Sequence, residues 1–390
     1  MQKIGIFIER QRAFGRKLCD GVSRYARNHG GWSMTMLDWD DFSRPERFRL
    51  FDGFIARLLN KRISNVLNDT ARPVVNVFET DDSGNAIQVM QDATAIARLA
   101  VRHFIDHRFE NFAFFGHEGI LYSDLRRQAF VDLLKGEGFE CNVYPTPPAN
   151  LRDFEYSVMR FEKYSANAER RAIERWLKRL PKPIAVFCSH DLRAYQLIER
   201  CHALGICIPD EVAVLGVDND DLICNFTEPT ISSIDPNAET IGFRAAEMLD
   251  TLLRGRKADN AVMIPPSTLI ERKSTATYPI DPSWMSDALV FIHANAHKRI
   301  SAADVFRHIN RSHTVVDEAF RRILGTSVSR EIADSRLKTA RRLITTTSLS
   351  FAEVAEKSGF ASIHYFTRSF TSAFGMSPSR FRDKHRRPAK

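Results

Sequence analysis

Seven short apolar runs limit what the first two thirds of this chain can become. They are "KIGIFI", "WSMTML", "DGFIARL", "PVVNVF", "NFAFFG", "IAVFCS" and "VAVLGV". Each has strand length, most are rich in β-branched or aromatic residues, and most lack the polar alternation of a strand with one wet face. Helical stretches lie between them, such as "GRKLCDGVSRYARNHG" and "ATAIARLAVRHFIDHR". In the second, Ile96, Leu99, Ala100, His103 and Phe104 recur at helical spacing. Strands apolar on both faces and separated by helices predict parallel sheets covered by helices on both sides. Such sheets take ligands at the carboxyl ends of their strands. The loops expected there are "ERQRAFGR", "GHEGILYSDLRR", "CSHDLRA" and "GVDNDDL", all rich in hydrogen-bonding side chains. None is a GxGxxG or GxxxxGK[ST] loop, so no nucleotide phosphate is expected, and no cofactor.

The alternation stops near Ile264–Arg272. "TATYPIDPSW" holds two prolines and reads as a linker, and from Trp284 onward every segment is helical in pattern. The expected division is a ligand-sensing domain over 1–272, a linker over 273–283 and an all-α domain over 284–390. Charge follows the same division. Residues 284–390 carry 19 Lys and Arg against 9 Asp and Glu, a net of +10, whereas the whole chain is +8. A compact basic module on a near-neutral body predicts a polyanionic partner. The six cysteines form no CxxC pair and are expected to be buried free thiols. No apolar run is long enough to cross a membrane, and the short one before Glu9 and Arg10 does not resemble an export signal, so a cytoplasmic location is expected.

Within the basic part, residues 301–325 and 350–375 repeat one design. Each has a Ser cap, a short helix, a turn, a longer helix and a closing glycine, Gly325 or Gly375. Ser350 with Glu353 makes a capping box, and the glycines suit a left-handed helix stop. Short helix, turn, longer helix is a helix-turn-helix. "EIADSRLKTARRLITTT" between them suits a connecting helix. In the second motif Phe366, Phe370 and Phe374 recur every four residues and are expected to pack inward. Ser362, His364, Thr367, Arg368 and Thr371 lie on the other faces, where hydroxyls, a His and an Arg suit base edges and phosphates.

"SGFASIHYFTRSFTSAFGMSPSRFR" resembles the signature of the AraC/XylS family of bacterial transcription regulators. The matching positions are Gly359–Phe360, Phe366, Phe370, Phe374–Gly375, Ser377–Pro378, Phe381 and Arg382. The resemblance implies base contacts from Ile363, His364, Thr367 and Arg368 in the second motif, and from His313, Thr314, Asp317 and Glu318 in the first. The first motif departs from the family pattern: Asp317 and Glu318 can accept from cytosine N4 but repel phosphate. Residues 1–272 resemble the two-lobed sugar-binding core of LacI-type repressors and periplasmic binding proteins, most clearly in "IPDEVAVLGVDNDDL" and "PTISSIDPNAETIGFRAAEMLDTLL". That resemblance assigns ligand contacts to Asp218, to His190 and Asp191 of "CSHDLRAYQLI", to Arg126, Asp92 and Arg16, with Phe14 as an aromatic platform. Carboxylates accept from vicinal hydroxyls while Arg donates.

The fold expected is therefore a two-lobed α/β sensor with parallel sheets, followed by an all-α domain with two helix-turn-helix motifs. This order is that of a pentose-operon regulator joining a LacI-type sensor to an AraC-type tail. The expected activity is sugar-responsive transcription regulation by a homodimer, as an activator, with double-stranded DNA and a sugar, D-xylose first, as partners. The alternatives are a regulator of another sugar, a repressor, or a carbohydrate-active enzyme. The last lacks a visible nucleophile elbow, metal cluster or phosphate loop.

Overall fold

The computed structural model describes residues 1–80, 83–146 and 169–385. The chain divides into two compact units, Met1–Ala276 and Thr277–Lys390. The stretch expected as a linker is taken up on both sides. Ser274 and Thr275 are buried in the first unit and Tyr278 in the core of the second.

The first unit holds two six-stranded sheets. The first is built from β1 (Gln2–Phe7), β2 (Trp32–Met36), β3 (Gly53–Ala56), β4 (Val74–Asn76), β5 (Ile87–Gln91) and β11 (Ala261–Ile264), in the order β11-β5-β4-β3-β1-β2. Every pairing in it is parallel. The second is built from β6 (Phe112–Phe115), β7 (Cys141–Val143), β8 (Ile184–Cys188), β9 (Val212–Val217), β10 (Ser232–Asp235) and β12 (Thr268–Ile270), in the order β12-β10-β9-β8-β6-β7. Only β10 with β12 is antiparallel. The chain thus crosses between lobes after β5, after β10 and after β11.

The both-faces-buried pattern is met in detail. Ile4, Ile6, Ile55 and Val75 point to one core of the first sheet, and Phe7, Phe54, Ala56 and Val74 to the other. In the second sheet Val186, Cys188, Val212 and Val214 face one way, Ala185, Phe187, Ala213 and Leu215 the other. Helix Ala93–Asp106 buries Ile96, Ala100, His103 and Phe104 on the second sheet, with Leu99 half-buried. Helices Ala13–His29 and Ala238–Leu253 cross so closely that a Cβ on Gly21 would lie 2.0 Å from the Glu239 carbonyl oxygen, and one on Gly242 2.0 Å from that of Leu18. All six cysteines are free; Cys188, Cys201 and Cys224 are buried, whereas Cys207 is exposed, contrary to the expectation of burial throughout. Cys207 lies in the turn before β9, outside any core.

The second unit is helical. Ser283–Asn295 leads in. Ala302–His308 and His313–Ala319, the latter continued by a wider π-type turn over Phe320–Leu324, form the first motif. Phe351–Lys357 and Ile363–Phe374 form the second, and Pro378–His385 closes. Helix Val328–Thr346 is shared: Val328 and Ile332 belong to one core with Val305, Val316 and Phe320, while Leu337, Ala340 and Ile344 belong to the other with Phe360, Phe366 and Phe370.

Candidate functional site

A cleft of about 570 Å³, open to solvent, lies within the first unit at the carboxyl ends of both sheets. From the first sheet it is lined by Glu9, Gln11, Arg12 and Phe14 after β1, Arg57 after β3, Phe78 and Glu79 after β4, and Gln91 at the end of β5. The second sheet contributes Tyr122 and Arg126 after β6, His190 after β8 and Asp218 after β9.

Several wall residues are held from behind. Buried Asn76 accepts from the Leu58 and Phe78 amides and donates to the Phe78 carbonyl, which fixes the loops carrying Arg57 and Phe78. The Arg57 guanidinium lies 4.6 Å from the Phe78 ring centre and 3.3 Å from Glu9 Oε2. Arg126, 2% exposed, donates to the Ser189 carbonyl and, across the lobes, to Gln91 Oε1. Burial, together with the guanidiniums of Arg193, Arg12 and Arg126, holds the His190 pKa well below its ordinary value, so the ring is neutral. Asp218 has φ 108° and Asn219 φ 46°, backbone that side chains other than glycine rarely adopt. Strain of this kind persists where the surroundings over-determine it, and it concentrates at binding sites.

The structure thus brings Phe14, Arg126, His190 and Asp218 to one cleft. Arg16, Asp92 and Asp191 do not line it. Arg16 turns back to donate to the Arg10 and Gln11 carbonyls and lies 3.8 Å from Asp220 Oδ1. Asp92 caps helix Ala93–Asp106, accepting from the Ala95 amide at 2.8 Å. Asp191, 1% exposed, points beneath the β9 loop: it accepts from Ser233 Oγ at 2.6 Å, the Asp220 amide at 2.8 Å and Cys224 Sγ at 3.3 Å. Burial and the neighbouring Asp218 charge push its pKa up to about 8. Its work is to hold the loop that presents Asp218. Glu9, Gln11, Arg12, Arg57, Phe78, Glu79, Gln91 and Tyr122 were not anticipated. Glu9, Gln11, Arg12 and Tyr122 lie in loops that the strand-end rule marks, without being singled out there; Arg57 is hidden inside an apolar run and Gln91 inside a strand too polar to stand out.

In the second unit both motifs present a longer helix outward. Ile363, His364 and Arg368 are exposed and Thr367 half-buried, while Phe366 and Phe370 are fully buried. Ser362 caps the helix through the Tyr365 amide, and Gly375 ends it at φ 69°. The remaining signature positions are structural: Phe381 packs on Phe370 and Phe374, and Arg382 donates to the Leu349 carbonyl from above the Phe351 ring. In the first motif His313, Thr314 and Glu318 are exposed. Asp317 is half-buried and held locally, its carboxylate 3.2 Å from His313 Nε2, 4.0 Å from an Arg321 nitrogen and 3.4 Å from the Val328 amide.

Comparison with known proteins agrees with this two-part reading. Residues 101–275 match the periplasmic binding protein-like domain family, and residues 306–384 a helix-turn-helix domain family. The chain is 26% identical to a xylose operon regulatory protein of Haemophilus influenzae, over 97% of this chain and 98% of that one. It is also 26% identical to the Escherichia coli K12 protein of the same name, over 98% and 97%. These relatives are transcription regulators, not enzymes. Among solved structures, that of a xylose-binding transcription activator, xylR, is similar with a TM-score of 0.60 at 24% identity, covering 99% of both chains. No helix among the described residues is long and apolar enough to cross a membrane. Two parallel-sheet lobes around a cleft, followed by twin helix-turn-helix motifs, make this chain a DNA-binding transcription regulator that joins a periplasmic-binding-protein-like sensor to an AraC-type domain.

Proposed function

We propose that the protein is a pentose-responsive activator of transcription, with D-xylose as the effector. What carries the reading is the cleft: it sits where ligands bind in such sheets, and both lobes supply groups of the right chemistry. Asp218 and Glu79 can accept from vicinal hydroxyls, Arg126 and Arg57 can donate, and Phe14, Phe78 and Tyr122 offer apolar faces to a sugar ring. The relatives named for the xylose operon put that sugar first. The protein acts as a homodimer in the cytoplasm. A sugar held by both lobes favours their closure, which alters how the two DNA-binding units of the dimer meet the operator. In each unit, Ile363, His364, Thr367 and Arg368 read one major groove and His313, Thr314 and Glu318 the adjacent one, on either side of the shared helix Val328–Thr346.

Calorimetry of wild type and Asp218→Ala with xylose, arabinose and ribose tests this. Wild type is expected to bind xylose most tightly, and Asp218→Ala to lose binding while keeping its affinity for operator DNA without sugar. By linkage, operator DNA should tighten sugar binding by the factor by which sugar tightens DNA binding, about 1–3 kcal/mol in typical cases. Absence of binding to all three pentoses, or unchanged xylose affinity in Asp218→Ala, would overturn the assignment.

A further inference from the structure

None of them among the residues that line the cleft, His103, His107 and Glu271 bring a nitrogen of each imidazole and a carboxylate oxygen within 4.8 Å of one another. Both histidines are buried, whereas the Glu271 side chain is 45% exposed. They stand one helical turn apart at the end of helix Ala93–Asp106, the i, i+4 spacing that aims two imidazoles at one point. Glu271 follows β12.

The hydrogen bonds fix where the protons are. His107 Nδ1 lies 2.8 Å from the His103 carbonyl oxygen, which can only accept, so Nδ1 carries the hydrogen. In the neutral ring Nε2 is then bare, yet it faces Glu271 Oε1 at 3.1 Å. Two acceptors in contact need a proton or a metal ion between them. On the other ring, Ser232 Oγ donates to the Arg272 carbonyl at 3.0 Å, so the 2.7 Å contact between Ser232 Oγ and Thr275 Oγ1 takes its hydrogen from Thr275. Thr275 Oγ1 is left to accept from His103 Nε2 at 2.9 Å. His103 Nδ1 is the bare nitrogen. When neutral, each histidine thus gives its one N–H to an oxygen behind it, as metal-ligating histidines do.

We propose that His103, His107 and Glu271 form a binding site for a divalent cation of the zinc class. Two imidazoles and one carboxylate are a borderline donor set, suited to zinc rather than to magnesium or calcium. The 3.1 Å between His107 Nε2 and Glu271 Oε1 is close to the ~3.3 Å that separates two ligands of a tetrahedral zinc with bonds of ~2.0 Å. Half-exposed Glu271 leaves an entry from solvent. The ion ties helix Ala93–Asp106 to the segment ending at Ala276, where the first unit stops. It therefore braces the exit from the sensor.

The test uses the full chain, freed of any histidine tag and stripped with a chelator. Titration with zinc should show one equivalent bound per chain and a raised melting temperature. Cobalt(II) in its place should give the intense visible absorption of a tetrahedral site. Glu271→Gln and His107→Gln should lose the equivalent, and Thr275→Val, which leaves the ligands but removes the hydroxyl behind His103, should weaken zinc about 10–100-fold. A melting temperature of Glu271→Gln in chelator equal to that of stripped wild type shows that its loss is not misfolding. No stoichiometric zinc binding in wild type, or equal binding in Glu271→Gln and His107→Gln, overturns the site. In the first case a protonated His107 paired with Glu271 accounts for the geometry.

Discussion

Single residues in this protein take their roles from what lies behind them. His190 is kept neutral by burial and three guanidiniums, while the same residue in the unfolded chain titrates near 6.5. Its folded pKa is depressed, so its contribution to stability is present above pH 6.5 and is lost as pH falls below it. The loss amounts to at most about 1.4 kcal/mol per pH unit. His190→Gln should therefore show a shallower fall in urea-unfolding stability from neutral pH downward than wild type does. Parallel slopes would mean that His190 takes up its proton in the folded cleft as readily as in the unfolded chain. Asp317 and Arg368 make a second contrast. Arg368 is exposed, and a planar fork there can bridge guanine O6 and N7, so Arg368→Ala should relax one position of the operator at a cost of ~1–3 kcal/mol. Asp317 is engaged with His313, Arg321 and the start of helix Val328–Thr346. Asp317→Ala should lower stability and leave base preference unchanged, as binding to a panel of mutated operators would reveal. Sequence alone cannot distinguish these two residues, because both lie on the helix that a helix-turn-helix turns toward DNA.

Elements were legible where their signal is local. Both helix-turn-helix motifs, their serine caps and their glycine stops follow from short-range spacing, and Ser301 even makes a capping box with Asp304 that mirrors Ser350 with Glu353. Strands β5, β7, β10, β11 and β12 were not foreseen as part of the two sheets. β5 carries Gln88 and Gln91, and β10 is largely serine and aspartate, so neither has the apolar signature; pairing with neighbours far along the chain makes them strands. The crossing of helices Ala13–His29 and Ala238–Leu253 is equally long-range and depends on two absent side chains. Gly242→Ala would drive a methyl into the Leu18 carbonyl and force the helices apart. Overpacking of this kind costs ~1–3 kcal/mol, measurable as a lower urea midpoint at unchanged slope. A midpoint equal to wild type would show that the helices can separate freely.

At the scale of the whole sensor, the two lobes are clasped directly. Asp220, from the loop after β9, accepts from the Ala13 amide at 2.8 Å and so caps a helix of the other lobe. Lys17 on that helix reaches Asp235 Oδ2 at 2.9 Å and the carbonyls of Asn219 at 3.2 Å and Asp218 at 3.4 Å. The clasp holds the same loop that presents Asp218 to the cleft, so lobe closure and ligand geometry are coupled. Lys17→Met removes the charged part of the clasp while keeping the apolar stem. It should weaken sugar binding about fivefold, the equivalent of ~1 kcal/mol for a half-buried pair, and expand the sugar-free protein in small-angle scattering. Unchanged affinity would show that the closed form does not depend on Lys17.

Alternation of apolar runs with helical stretches, the break near residue 272, the basic charge of the tail and the repeated cap-helix-turn-helix pattern determined the architecture and its DNA-binding half. These are properties of neighbouring residues, and the hydrophobic effect acts on them wherever the chain runs. Which strand-end residues share a cavity was decided only by the tertiary structure. Arg12, Arg57, Gln91 and Tyr122 reach one cleft because two sheets converge at their carboxyl ends, and Asp191 and Asp92 turn away because a buried loop and a helix amide claim them first. The pairing of His103 and His107 with Glu271 is of the same kind. The Asp92 cap is local, three residues on, but Asp191 and Arg126 take their directions from partners 29 and 35 residues away and His107 from one 164 away, and no local spacing encodes those.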